Sequence, residues 1–446
     1  MSDRSTSTPE ADDFFPGAGV RGRAGARLRT VLRWSPVLLV VSIAARLVWT
    51  LATPNGMNLV DLHVYVDGSG SLFDGDLYDY TYSEETPDFP LPFTYPPFAA
   101  LVFYPLHYLP FPVVGVGWQL LIAAALFALV WLSLRLLFGE RVQGRRWLEL
   151  TAVWTAVGLW TEPVRTTLDY GQVNVFLALA AVGAASTTRW WLAGGLVGLA
   201  AGVKLTPAVT GLYLAGQRRW AAAVASAVTF AGTVGLSYLL VGSAAHEYFT
   251  TLLGDADRIG PVGSVWNQSL RGALSRLVGH DVGSGLAWAA AVAVSGVLAV
   301  LAWRAIGAAD RLGTLLIVQL FGLLLSPISW SHHWVWVVPL LVWLVHGRYR
   351  HRLGARILAG YWLVTSLVGV PWVLSFFQDS IWIVSRPGLL AWIGAVDVLG
   401  ALATFVWLAW TERGVGGAKG ARRRGEAGLT KRSGRRSSTP DPDPAV

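Results

Sequence analysis

The sequence predicts an all-α polytopic membrane protein with about 12 transmembrane helices, and three observations predict it. Hydrophobic residues make up 54% of the 446 and charged residues only 14%, where a soluble domain carries roughly 25% charged residues. The apolar residues gather in runs that approach the roughly 20 residues a helix needs to cross a bilayer. Lys and Arg sit at the ends of these runs on one side, the positive-inside pattern, and tryptophans such as Trp34, Trp49, Trp118, Trp190, Trp191 and Trp410 flank them, suited to the headgroup layer.

In chain order, residues 1–33 are a polar tail, expected to be disordered, that turns basic before the first apolar run, 34–51. That run has no small-residue cleavage pattern and reads as a signal anchor. Segment 52–111 contains no Lys or Arg but several carboxylates, which places it outside. Its Pro90, Pro92, Pro96 and Pro97 break any long helix, and Pro97 opens FAALVFYPLHYL, a stretch suited to short interfacial helices. Further spans follow at 112–138, 148–162, 171–187, 190–203, 206–217, 219–241, 286–303, 312–326, 333–346, 356–376 and 388–410. Twelve crossings put both termini in the cytoplasm, and Arg141, Arg189, Arg219, Arg304 and Arg350 fall in or beside inner connections. The runs 190–203 and 206–217 are short for about 30 Å of hydrocarbon. They form either a broken pair around Lys204 to Pro207 or a single span, and the second case inverts everything downstream.

Segment 242–285 is the second outer loop, and 411–446 is a second basic tail, rich in Ser, Pro and Gly and expected to be disordered. The formal charge of +8 is concentrated in the two tails, which fits anionic lipid headgroups rather than nucleic acid. Absence of cysteine excludes disulfides and thiolate chemistry.

Several polar residues stand out against this apolar background. Asp61 follows the first span closely enough to lie near the membrane surface, where a carboxylate in a partly apolar cavity can take a proton from an attacking hydroxyl; the alternative is an acidic solvated loop. His63 and Asp67 lie beside it, and Gly68, Gly70 and Gly75 permit tight turns. Asp74-Gly75-Asp76 forms a DxD pattern of the kind that holds a cation and a nucleotide diphosphate. Three residues are a weak signal, however, and nucleotide sugars belong to the other side of the membrane. A divalent metal is therefore not expected, and no other cofactor is implied. Glu162, Arg165 and Asp169, then Gln172 and Asn174, sit at span ends on the same face, where ionisable groups are costly unless paired or wetted. Arg165 either neutralises Glu162 or Asp169 or binds a ligand. Lys204, within GVKLTPAV, must snorkel, pair with an acid or meet an anion such as phosphate. In SPISWSHHWVW, 326–336, His332 and His333 can contact a phosphate or orient the carboxylate, but neighbours on a helix diverge, so one of them is expected at the interface. Trp266 and Asn267 lie between a Gly/Pro turn and a helical run and are candidates for support.

The order of a first-loop Asp, TYPPFAALVFYPL at 94–106, DYGQVNVFLA at 169–178, AGVKLTPAV at 201–209 and SPISWSHHWVW resembles the actinobacterial polyprenyl-phosphate-mannose-dependent mannosyltransferases of GT-C fold, GT87 type. The resemblance runs from about 34 to 410, and the basic tail beyond departs from it. It implies a transmembrane GT-C catalytic domain over 34–410, facing the periplasm from the inner membrane. The implied reaction moves mannose from polyprenyl-phosphate-mannose to a phosphatidylinositol mannoside or lipoglycan acceptor with inversion. It also maps the essential aspartate onto Asp61 as general base and the late histidine region onto His332 and His333. By role, Lys204 and one histidine would contact the donor phosphate, with Gln172 and Asn174 as sugar or phosphate neighbours. Competing readings are transfer of another sugar, such as arabinofuranose, lipoarabinomannan branching, or a lipid-linked sugar flippase.

Overall fold

The computed structural model describes residues 23–52, 57–87, 89–255, 257–377, 380 and 388–411; the two expected tails lie outside them except for 23–33, which is helical rather than disordered, and Thr411. The first helix, α1 (Arg23–Ala52), is followed by α2 (Val60–Gly70), a two-residue antiparallel ribbon of β1 (Thr81–Tyr82) and β2 (Leu91–Pro92), and α3 (Pro97–Phe103), which continues as a 3-10 turn through Tyr108. Next come α4 (Phe111–Phe138), α5 (Arg145–Gly158), α6 (Glu162–Tyr170), α7 (Asn174–Ser186) and α8 (Trp190–Val203). A 3-10 turn at Thr206–Val209 leads into α9 (Thr210–Gly216), α10 (Trp220–Leu240), α11 (Gly242–Glu247), α12 (Leu270–Val278), α13 (Leu286–Ile306) and α14 (Arg311–Leu325). Another, Ser331–Trp336, precedes α15 (Val337–His346), and α16 (Leu353–Val368), α17 (Val370–Ser375), α18 (Leu389–Ile393) and α19 (Val396–Thr411) close the described chain.

Among the described residues, four helical stretches are long and apolar enough to cross a membrane: 32–52, 111–141, 220–240 and 286–306. The shorter apolar helices α7, α8, α14, α16 and α19 accompany them, and the chain is a multi-pass membrane protein. The core explains the short ones. Helix α15 is apolar all round and buried almost everywhere, the condition of a helix enclosed by other helices rather than by lipid. It packs with α4, α5, α14 and α16, while α1, α10, α13 and α16 expose Val40, Val228, Val297 and Ile357, among others. The helix breaks at Lys204: α8 ends at Val203 and the chain resumes as a 3-10 turn at Thr206. Helix α8 lies against α10 along a stripe of Gly194, Gly198 and Gly202, four residues apart and so on one face; a Cβ at Gly198 would sit 2.6 Å from the Ser226 carbonyl oxygen.

Two expectations need correcting. Gly68 and Gly70 are helical, because Leu62, Tyr65 and Val66 bury one face of α2 against α3 and the loop around Phe93, and this packing outweighs the cost of glycine in a helix. Only Gly75 serves a turn, with φ +95°. Trp118 also ties α4 to the turn after α6, its indole N–H donating to the Gly171 carbonyl at 2.8 Å.

Two arginines meet one end of α7. Arg219 donates to the carbonyls of Ala184 and Thr187, and Arg311 to that of Ala185, so two guanidiniums meet the C-terminal end of α7, where the helix dipole favours cations. The N-terminal end of α7, about 20 Å away at 1.5 Å per residue, begins at Asn174 beneath the main cavity.

Candidate active site

A cavity of about 540 Å³ lies between α2, the strand-bearing loop, the loop before α12 and the 326–333 segment. Its floor brings together Asp61, Gln172, Lys204, His332 and His333. Asp61 stands in the first turn of α2 and opens on the cavity. Gly171 sets its position, since this residue ends α6 in the left-handed region at φ +73°, and a Cβ there would meet Leu62 Cβ at 2.6 Å. The turn can therefore press against α2 and present the next residue, Gln172, to Asp61. Burial among protein walls pushes the Asp61 carboxyl up to about 6, opposed by hydrogen bonding from Gln172 and by the Lys204 charge.

Lys204 caps the end of α8 and turns inward. Its ammonium lies 3.2 Å from Asn174 Oδ1, 3.0 Å from His333 Nε2, and 3.5 Å from both Gln172 Oε1 and the Tyr95 hydroxyl. Because an ammonium only donates, His333 Nε2 must accept, and the ring proton belongs on Nδ1. The Tyr95 ring lies under the same ammonium, 5.2 Å from its centroid, and its hydroxyl is 2.7 Å from that of Tyr65, which donates to Gln172 Oε1 at 3.0 Å. Around Lys204 all of these partners are neutral.

Both histidines line the cavity, against the expectation that one would face the interface. They sit on a 3-10 turn rather than an α-helix, with ring centroids 4.8 Å apart. Asn174 Nδ2 donates to the His332 carbonyl at 3.0 Å and Thr167 Oγ1 at 3.3 Å, fixing this turn on α6 and α7. His332 Nε2 and His333 Nδ1 are buried without protein partners. A buried ring nitrogen left unpaired in a cavity wall is a place for a ligand oxygen.

The other residues singled out in the sequence lie elsewhere. Asn174 is outside the main cavity, its amide occupied by Lys204 and the His332 backbone. His63 pairs with Asp67 at 2.7 Å and stacks between Tyr82 and Phe111, stapling the first loop to α4. Asp169 pairs with Arg46 of α1, while Arg165 lies over the Trp372 ring, 5.1 Å from its centroid. Glu162 is buried at the start of α6 and accepts from Thr166 Oγ1 at 3.1 Å. Trp266 lines the upper cavity; Asn267 is buried and bonded to the backbone of Val262, Pro327 and Ser329. Asp74 and Asp76 are exposed in a turn and do not reach the cavity. Sequence reasoning missed Tyr95 and Tyr65. The only signal for Tyr95 was its place in TYPPFAALVFYPL, and for Tyr65 its position four residues after Asp61, on the same side of a helix not foreseen there.

The arrangement pairs one carboxylate that is ionised yet basic near neutral pH with a cation and two imidazoles across a cavity, a set able to deprotonate a hydroxyl on one side and receive an anionic leaving group on the other.

The profile of Glycosyltransferase family 87 matches residues 93–327. A polyprenol-phosphate-mannose-dependent alpha-(1-2)-phosphatidylinositol pentamannoside mannosyltransferase of Mycolicibacterium smegmatis is 59% identical over 395 residues, 88% of this chain and 94% of that protein. A Mycobacterium tuberculosis protein of the same name is 57% identical over 85% of this chain and 88% of its own length. The phosphatidylinositol mannoside mannosyltransferase of M. tuberculosis is 35% identical over 71% of this chain and 77% of its own length. No solved structure matches the chain. With the family profile lying over half of it and relatives alike along most of their length, the chain belongs to glycosyltransferase family 87.

Proposed function

We propose that this chain transfers mannose from polyprenol-phosphate mannose to phosphatidylinositol pentamannoside, forming an α-(1-2) bond in one inverting step. The observation that carries the reading is the pairing of Asp61 with Lys204, His332 and His333 in one cavity of a chain that is 59% identical to an enzyme named for that reaction. The acceptor hydroxyl attacks the mannose C1 as its proton passes to Asp61. The C1–O bond to phosphate breaks, and polyprenyl phosphate leaves with the bonding pair. The leaving group is a stable anion that needs charge more than a proton, so Lys204 and the Nδ1–H of His333 suffice without the second carboxyl of a hydrolase. Gln172 holds Asp61, and Tyr95 and Tyr65 hold Gln172 and Lys204.

The test uses the full chain in lipid nanodiscs with polyprenol-phosphate mannose and phosphatidylinositol pentamannoside, with and without a chelator. The expected product is a hexamannoside whose new residue an α-(1-2)-mannosidase removes, formed at the same rate in both arms because Lys204 and the His333 N–H stabilise the leaving phosphate. Donor movement across a bilayer without a new glycosidic bond would overturn the reading in favour of a flippase.

We also propose twelve crossings, with the 34–410 catalytic domain in the inner membrane, its cavity open to the periplasm and both termini in the cytoplasm. Support comes from the Lys- and Arg-free first loop above the cavity and from the arginines at the far end of α7. Because the chain has no cysteine, single cysteines report their own side. An impermeant maleimide applied to intact cells should label a cysteine at Glu84 and spare one at Arg350; labelling of both or the reverse pattern sinks this topology.

A further inference from the structure

The upper half of the cavity is chemically unlike its floor. Two half-buried tryptophans, Trp266 and Trp330, form its wall, with Glu85 and Asp255 at the rim and Arg258 between them. The wall is built rather than incidental. Gly260, at φ +140°, passes so close that a Cβ would meet Trp330 Cζ2 at 2.9 Å and Phe89 Cζ at 3.3 Å, and Trp330 bridges Asn267 through the backbone. Arg258 ties the loop to the first outer segment by donating to the Tyr78 carbonyl at 2.7 Å and lying over its ring. Asp255 Oδ1 accepts from the Asp257 and Arg258 amides, leaving Oδ2 without a partner among the described residues. The Glu85 carboxylate and both indole N–H groups are likewise unpartnered there and open to the cavity.

Half-buried indole rings lining a cavity, with carboxylate acceptors beside them, match a pyranose, whose C–H faces stack on aromatics while its hydroxyls need partners. The volume suits a ligand larger than one sugar. With the floor committed to the carboxylate, Lys204 and the two imidazoles, a glycan whose end hydroxyl reaches Asp61 must run past these tryptophans.

We infer that Trp266, Trp330, Glu85 and Asp255 form a glycan subsite that holds the mannosyl residues of the acceptor next to the one being extended, so that the chain selects long mannosides over short ones. The inference rests on the transfer reading, and deepens it by assigning the acceptor's place.

Two measurements keep the two claims apart. In the transfer assay, Trp266→Ala and Glu85→Gln should each raise the acceptor KM by about tenfold, the worth of a lost charge-assisted hydrogen bond or stacked ring. Neither should change the donor KM, and kcat at saturating acceptor should stay within about twofold of wild type, because both side chains lie above the reacting atoms. Separately, calorimetric titration of the Asp61→Asn protein with a soluble mannotriose should detect binding that Trp266→Ala removes and that glucose oligomers do not reproduce. Unchanged acceptor KM in both variants, or a donor KM that rises equally, overturns the subsite. No mannotriose binding to a folded Asp61→Asn protein also overturns it, whatever the transfer assay reports. Mannotriose binding in a wild-type chain that makes no hexamannoside leaves the subsite standing and sinks the transfer reading.

Discussion

Asp61→Asn will nearly abolish mannose transfer, with kcat lower by about 10³-fold, inside the range a positioned general base contributes. Asparagine keeps the shape of the side chain and cannot take the acceptor's proton. The fold should survive, because α2 is held by Leu62, Tyr65 and Val66 on its buried face and Asp61 looks into the cavity. The same residue sets the pH dependence. Its carboxyl, pushed up to about 6 by burial, is protonated over a range where an ordinary aspartate is still ionised. A protonated base is inactive, so kcat/KM of the wild type should fall tenfold per pH unit below about 6. Bound donor adds a phosphate charge nearby, which raises the carboxyl further. The limb in kcat must then lie at higher pH than the limb in kcat/KM. Initial rates across this range, with circular dichroism of the variant, check both points. An Asn variant of near-normal rate, or an acid limb at an ordinary aspartate's value of about 4, rules Asp61 out as the base.

How far the sequence discloses this site depends on which contacts are local. Membrane solvation is a local property: the run 112–138 becomes α4 at Phe111–Phe138, and 219–241 becomes α10 at Trp220–Leu240, because a backbone in lipid has to satisfy its own hydrogen bonds. Lys204 and His332 were legible for the same reason, as polar groups where apolar residues were expected, whereas Asp61, in an acidic loop, stood out by its closeness to the first span and by the family resemblance. Helix α2 was not legible. Its two internal glycines argue for turns, and only tertiary burial of its other face makes it helical. That omission carried a second one. At about 100° per residue, position 61 shares a side with 65, whereas 63 and 67 point away, so a foreseen helix would have paired Asp61 with Tyr65 and set His63 and Asp67 aside. Tyr95 was hidden differently, as one aromatic residue in a chain whose 12% aromatic content makes any single ring unremarked. Its role becomes visible only when α8 delivers Lys204 onto its face. The pairing of His332 with His333 depended on a 3-10 turn that hydrophobic periodicity does not register.

Lys204→Met should cost about 10²–10³-fold in kcat/KM, the usual loss when one preorganised charge is taken from a developing anion, and at the same time leave the protein at least as stable as wild type. The two effects have one cause. Among the described residues Lys204 makes no ion pair; its partners are two amides, a phenol and a neutral imidazole. Taking an ammonium out of water without a paired acid is costly, and neutral dipoles repay only part of it. Asp61 is the acid whose charge acts on the ammonium, but the two make no ion pair, and a donor phosphate supplies the closer counter-charge, so much of the stabilisation of this ammonium arrives with substrate. Methionine keeps an unbranched stem for packing against Tyr95 and removes the charge, which relieves the apo state and deprives the transition state. The loss should fall on both donor KM and kcat, since phosphate charge is present in the ground state and grows as the C1–O bond breaks. Melting curves and steady-state rates measured on the same preparations decide it. A variant that melts lower than wild type yet transfers mannose at a near-normal rate would mean that Lys204 serves the packing of α8 against the first loop, and that the phosphate is met by other groups.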